Sequence, residues 1–187
     1  KHITKDNSKE IDIIREALIS KFKINYIKNK LRIMNIYNLG QKLNHRLYNI
    51  SLGKKFTNGF IRNGHDVLEI SDRDFIKQNR VFGLENVQDK FQRYMIETFK
   101  NYNPNFLFFG HTNNINLSTL EEFKKINNNL IISQWNEDPI MSNLKDSRFN
   151  IDKILKYKNY TDHTFITTHP DIFRKESKEI KNLHFLF

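Results

Sequence analysis

Apolar positions along the chain follow two spacings that take turns. Short, nearly continuous apolar runs occur at residues 31–39, 67–70, 105–109, 130–135, 163–168 and 183–187. Runs of this length predict buried strands, and their lack of in–out alternation fits a parallel sheet covered on both faces. Between them the spacing becomes helical. Ile11, Ile14, Leu18 and Phe22 predict a helix over 9–29. Leu47, Ile50, Phe56 and Phe60 predict one over 43–63. Phe91, Tyr94, Met95, Ile96 and Phe99 predict one over 86–102. Shorter helices are expected over 119–126 and 151–157, with a brief helical piece starting at Pro170.

Punctuation residues sit between these segments. Gly40 and Gly110 end strands, and Gly64 stands where a helix terminator wants a left-handed residue. Pro104 stops the helix before it, and Pro139 closes the fourth strand. Ser118 is placed to cap the helix that follows, with Glu121 in the capping-box position. Residues 140–150 are expected to form a mobile loop.

Strand–helix alternation at this spacing implies right-handed crossovers. The expected architecture is α/β, a Rossmann-like three-layer sandwich with a mostly parallel sheet of about six strands. Strand order 3-2-1-4-5-6 is the leading expectation. Residues 1–30 are expected as a lead-in helix on the edge of a single domain spanning 31–187. The start at Lys1 and the strand-like end at Phe187 suggest a piece of a longer protein.

Composition narrows the chemistry. The chain has 187 residues, 16 Phe and 7 Tyr, so large side chains are available for a core. There is no Cys, which excludes disulfides, thiolate metal sites and a Cys nucleophile. No apolar run approaches the roughly 18 residues that span a bilayer, and a cytoplasmic location is expected. The net charge is +10. Lys is scattered rather than clustered and accompanies abundant Asn and Ile, which reads as compositional bias. No specific nucleic-acid partner is indicated, although a basic nucleic-acid binder remains an alternative.

In an open parallel sheet, ligands bind beyond the carboxyl ends of the strands, and this turns the strand assignment into candidate residues. The first strand delivers Asn38, Gly40 and a polar segment containing His45. The second delivers Asp72, Arg73 and Asp74. The third delivers Gly110, His111 and Thr112. The fourth delivers Asn136, Glu137 and Asp138, and the fifth Thr168 and His169. Gly110 would let a ligand approach the backbone closely. His111 suits a general base, or is a loop histidine bonded to a neighbouring carbonyl. Asp138, held extended by Pro139, could deprotonate or bind a sugar hydroxyl, or cap a helix. The Asp72-Arg73-Asp74 triplet is open to three readings: a divalent metal with a nucleotide diphosphate, a ribose hydroxyl, or a helix cap. A dinucleotide site would need a G-x-G-x-x-G turn, and only Gly40 is present after strand one. Walker-type phosphate loops, H-E-x-x-H and G-x-S-x-G are absent. A phosphoacceptor receiver is also disfavoured, because strand three ends Gly110-His111 where that chemistry wants an Asp.

The run Asn58-Gly59-Phe60-Ile61-Arg62-Asn63-Gly64-His65-Asp66-Val67 carries a G-H-x-V turn. With the Asp72-Arg73-Asp74, Gly110-His111-Thr112 and Trp135-Asn136-Glu137-Asp138-Pro139 clusters, residues 31–187 resemble bacterial CgeB-like glycosyltransferases of the GT-B fold, family-one type. The resemblance implies the acceptor-side N-terminal half of a two-domain enzyme, with the donor-binding C-terminal domain missing from this chain. It also implies a nucleotide-sugar donor, a glycan or small-molecule acceptor, and transfer without a metal or other cofactor. A fragment of this kind would be inactive alone. Asp138 and His111 are then the catalytic candidates, and Asn38, Gly40, His45, Asp72, Arg73, Gly110, Thr112, Asn136, Glu137, Thr168 and His169 the substrate-binding ones. The alternative from the residues themselves is a non-catalytic α/β ligand- or phosphate-binding module.

Overall fold

The computed structural model describes residues 30–40, 51–80, 86–140, 145–173 and 178–186, together with residue 13. The expected helix over 9–29, the first part of the one over 43–63, and His45 therefore lie outside the described residues, Ile13 apart. In chain order the elements are β1 (Arg32–Tyr37), α1 (Leu52–Arg62), β2 (Asp66–Ser71), α2 (Asp72–Asn79), α3 (Val87–Tyr102), β3 (Phe106–Gly110), α4 (Leu117–Ile126), β4 (Ile131–Asn136), α5 (Lys145–Tyr157), β5 (His163–Ile166), a 3-10 turn (Pro170–Phe173) and β6 (Leu183–Phe185).

Every strand pairing is parallel, and the sheet order is β2-β1-β3-β4-β5-β6. This corrects the expected 3-2-1-4-5-6 order. The reason is visible in the two strands that changed places. β3 (Phe-Leu-Phe-Phe-Gly) is buried along almost its whole length, so it belongs in the interior of the sheet. β2 carries Asp66 and Glu69 and is only half-buried, which suits an edge that must resist pairing with another chain. From β2 the chain returns past β1 through α2 and α3 to reach β3. That reversal puts the topological switch point between β1 and β3, where open α/β sheets form their ligand crevice.

Right-handed crossovers then dictate which helix covers which face. α1 covers one face, where Leu52, Phe56 and Phe60 pack on Ile33, Tyr37, Phe108 and Trp135. The other face is covered by α2, α3, α4 and α5, through Phe75, Phe91, Met95, Phe99, Leu120, Phe123 and Tyr157 against Met34, Ile36, Leu107, Phe109 and Ile132. The result is the expected Rossmann-like three-layer α/β sandwich. Phe99 and Phe123 stack with ring centroids 4.3 Å apart and join α3 to α4. Each such fully buried side chain stabilises the fold by about 1.5–3 kcal/mol.

The helix ends follow local chemistry. Gly64 adopts φ +85°, and the His65 and Gly64 amides donate to the Phe60 and Ile61 carbonyls, which is the Schellman arrangement that closes α1. The His65 ring is used structurally, since its Nδ1 accepts from the Leu31 amide at 3.2 Å. α4 starts at Leu117 behind Asn116, so Ser118 lies inside the helix instead of capping it. Glu121 accepts from the Tyr160 hydroxyl at 2.6 Å instead of completing a capping box. Residues 145–150 are helical where a loop was expected, which lengthens α5 by nearly two turns.

Candidate active site

The carboxyl ends of β1 and β2 are tied together by short polar side chains. Asn38 accepts from the Gly40 amide at 3.1 Å, and Gly40 takes a left-handed φ of +68°, a turn that glycine makes without strain. Ser71 accepts from the Leu39 amide at 3.2 Å and donates to Asp74 at 2.5 Å. The Asp72-Arg73-Asp74 triplet is the first turn of α2, where carboxylates are favoured by the helix dipole. Asp72 is fully buried. One of its oxygens accepts from the Arg73 amide at 2.7 Å. The other accepts from Thr112 Oγ1 at 2.7 Å and Asn114 Nδ2 at 2.8 Å. Asp72 is thus a brace between α2 and the β3–α4 loop, and Thr112 is its partner. Both side chains, expected as substrate ligands, have structural partners here. Arg73 is exposed.

β3 and β4 end in the most distinctive arrangement. A Cβ built on Gly110 would lie 2.2 Å from two carbons of the Trp135 indole. Gly110 is therefore required by Trp135, and the close approach it permits is to that ring. Trp135 is 4% exposed and packs among Phe56, Phe108 and His111, with ring centroids 5.2, 6.3 and 5.4 Å away. Its Nε1 is buried without a hydrogen-bond partner among the described residues.

His111 has a φ of +50°, a left-handed conformation that disfavours side chains with a Cβ by about 1–2 kcal/mol. Strain of this kind persists where surrounding contacts hold it, and it concentrates at functional sites. The turn places His111 Nε2 2.8 Å from Glu137 Oε1 and 3.9 Å from Asp138 Oδ2. The carboxylate approaches out of line with the ring nitrogen, so Nε2 and the second Glu137 oxygen are buried with no aligned hydrogen bond. A histidine held by a carboxylate at Nε2 can take a proton from a hydroxyl at its other ring nitrogen, Nδ1. The adjacent carboxylates would stabilise the imidazolium that results.

Lys153 of α5 completes the constellation. Burial, and then the charge of Arg73, lower its pKa. Asp138, Asp72 and Glu137 pull in the opposite direction. Lys153 lines a small cavity of about 20 Å³ with His111, Trp135, Asn136 and Tyr157, room for about one water-sized group. The Tyr157 hydroxyl donates to the Ile115 carbonyl at 2.9 Å. Burial, reinforced by Asp72, pushes this phenol far above its ordinary value, so it stays neutral.

The other candidates serve the frame. Asn136 donates to the Asp138 carbonyl at 3.0 Å and shapes the 136–138 turn. Thr168 accepts from the Ile140 amide at 2.9 Å. His169 is exposed, accepts from the Asp171 amide at 3.3 Å and meets Phe185 edge-on; none of these contacts involves the His111 cluster. Lys153, Tyr157 and Asn114 were not expected from the sequence. A usable signal existed for the first two. Phe149, Lys153, Lys156 and Tyr157 share one helical face, which the later expected start of this helix concealed. Among the described residues, no three His, Asp or Glu side chains are grouped to hold a metal ion.

No family model and no curated protein sequence matches the chain. Among solved structures it is similar to an α-glucosyltransferase in complex with UDP and a 13-mer DNA containing a HMU base. That likeness has 13% identity and a TM-score of 0.49, and it covers 84% of this chain and 42% of that one. At this level the likeness does not bear on activity, and the chain spans less than half the length of that enzyme.

Proposed function

We propose that this chain is the acceptor-side domain of a GT-B glycosyltransferase, of the CgeB-like kind, which moves a sugar from a nucleotide-sugar donor to an acceptor hydroxyl. The observation that carries the reading is His111 Nε2 held against Glu137 and Asp138 beyond the carboxyl ends of β3 and β4, one strand from the switch point.

In this reading His111 accepts the proton of the acceptor hydroxyl at Nδ1, with Nε2 kept against Glu137. Glu137 holds the imidazole and stabilises it once charged, and Asp138 adds a second, more distant negative charge. The acceptor oxygen forms a bond to the anomeric carbon. The bond from that carbon to the nucleoside diphosphate breaks, and the diphosphate leaves with the electron pair. A second domain would hold the donor. Trp135 supports the face on which His111 rests, and Lys153 sets the field around the two acids. No metal is needed in this scheme, and the reaction would take place in the cytoplasm. Among the described residues, no helix is long and apolar enough to cross a membrane.

The test uses the full-length protein with a panel of nucleotide sugars, with release of nucleoside diphosphate as the readout. Release from at least one donor is expected, with Glu137→Gln and Asp138→Asn both slower. If no nucleotide sugar is bound or consumed, the reading is wrong. If Asp138→Asn turns over at the wild-type rate, Asp138 leaves the mechanism.

A further inference from the structure

A second feature lies beside this cluster and shares Lys153 and Tyr157 with it. Asn113, Phe149, Asp152, Lys153, Lys156 and Tyr157 line an open pocket of about 290 Å³, near the lower end of the range for small-molecule sites, about 300–1,000 Å³. Its two ammonium groups lack bonded counter-ions among the described residues. Lys153 Nζ has no hydrogen bond or ion pair there and lies over the Phe149 ring, 5.7 Å from its centroid. Lys156 Nζ donates only to neutral oxygens, the Ile115 carbonyl at 3.3 Å and the Tyr157 hydroxyl at 3.0 Å. An ammonium has three donors, so Lys156 keeps one and Lys153 keeps all of its own.

Three of the acids nearby are already engaged. Asp152, which lines the pocket, pairs with Arg148 at 3.2 Å. Asp72 is bonded to Thr112 and Asn114, and Glu137 faces His111. Burial disfavours the charged forms of both lysines; at Lys153 Arg73 adds repulsion, and Asp138, Asp72 and Glu137 pull the other way without a hydrogen bond or ion pair to Nζ among the described residues. Two partly desolvated cations on one helix face, in a pocket that Asn113 also lines, suit an anion that brings several acceptor oxygens.

We propose that this pocket is a phosphate-binding subsite in which Lys153 and Lys156 hold the anion and Asn113 donates an amide hydrogen. The phosphate would belong either to the donor's diphosphate or to a phosphorylated acceptor. The subsite does not depend on sugar transfer. Phosphate binding by this chain with no transfer by the full-length protein would refute the glycosyltransferase reading alone, and transfer by the full-length protein without phosphate binding here would refute only the subsite.

The experiment is isothermal titration calorimetry of the 187-residue chain with pyrophosphate, UDP and glucose 6-phosphate. Saturable binding of pyrophosphate is expected. About tenfold weaker binding is expected in Lys153→Gln, a severalfold loss in Lys156→Gln, and near wild-type affinity in Lys153→Arg. Tighter binding of UDP than of glucose 6-phosphate assigns the subsite to the donor, and the reverse assigns it to the acceptor. No saturable binding of any of the three, or equal affinity in wild type and both glutamine variants, overturns the proposal. The two glutamine variants change separate positions, so misfolding of one leaves the other as the test.

Discussion

Replacing Gly110 by alanine probes the support beneath His111 with a single methyl group. The added carbon would begin 2.2 Å from Trp135 Cδ2 and Cε2 and 2.6 Å from Nε1. Comfortable carbon–carbon contact starts at about 3.5 Å, so the ring or the strand must yield by about 1.3 Å. The indole has little room to yield, because Phe56, Phe108 and His111 surround it. Overpacking of this kind costs about 1–3 kcal/mol, and a rigid, hemmed-in ring places it near the upper end. Alanine also reduces the freedom of the unfolded chain, which returns about 0.4–1 kcal/mol. The expected net loss is about 2 kcal/mol. With a urea m-value of about 2 kcal/mol/M, the midpoint should fall by about 1 M. Trp135 is the chain's single tryptophan, so its fluorescence follows the transition directly, and circular dichroism gives an independent record. In a Trp135→Leu background, followed by circular dichroism, most of the penalty should vanish. A Gly110→Ala protein within about 0.5 kcal/mol of wild type would refute the packing argument and return Gly110 to the role of a ligand-approach glycine.

Three further outcomes follow from other parts of the fold. In α1, Gly53→Ala should destabilise, because its Cβ would lie 2.0 Å from the Tyr37 ring. Gly59→Ala should stabilise by about 0.5–1 kcal/mol, because nothing lies within 4 Å of it; a pair of melting curves decides both signs. Asp72→Ala should cost about 3 kcal/mol, because it strands the Thr112 and Asn114 donors in a buried position. Its denaturation midpoint should fall well below that of Asp72→Asn. Glu69 loses from burial but gains more from hydrogen bonds to Lys54, Tyr37 and Thr57, so its pKa falls below the ordinary 4.5. A depressed carboxylate contributes stability above its unfolded value and loses it as pH falls through the folded one. Wild type should therefore lose more stability than Glu69→Gln when acidified from pH about 6 to about 3; parallel acid limbs for the two proteins would count against this.

Much of the architecture was legible because it rests on local apolar continuity. β1 to β4 were each expected within one or two residues of where they stand: β1, β3 and β4 because interior parallel strands admit few polar side chains, and the edge strand β2 from Val67, Leu68 and Ile70. α2 was not seen, because only Phe75 and Ile76 of its eight residues pack on the core, too few to show a helical stripe. The position of β3 was misjudged because the same spacing of segments fits either edge. The charges on β2 held the clue. The meeting of His111 with Glu137 and Asp138 was readable, because neighbouring parallel strands bring their carboxyl ends together. The roles of Gly110 and Asp72 were not. Each depends on a partner 25 or more residues away, Trp135 for one and Thr112 with Asn114 for the other, and no spacing rule links them.

The most direct measurement is nucleotide-sugar turnover by full-length protein carrying His111→Gln, which keeps a polar side chain of similar size but cannot act as a base. Loss of a positioned general base should lower turnover by about 10²–10⁴-fold, while nucleotide-sugar binding and the thermal midpoint stay close to wild type. Turnover equal to wild type, in a protein equally well folded, would contradict the placement of the chemistry at this histidine.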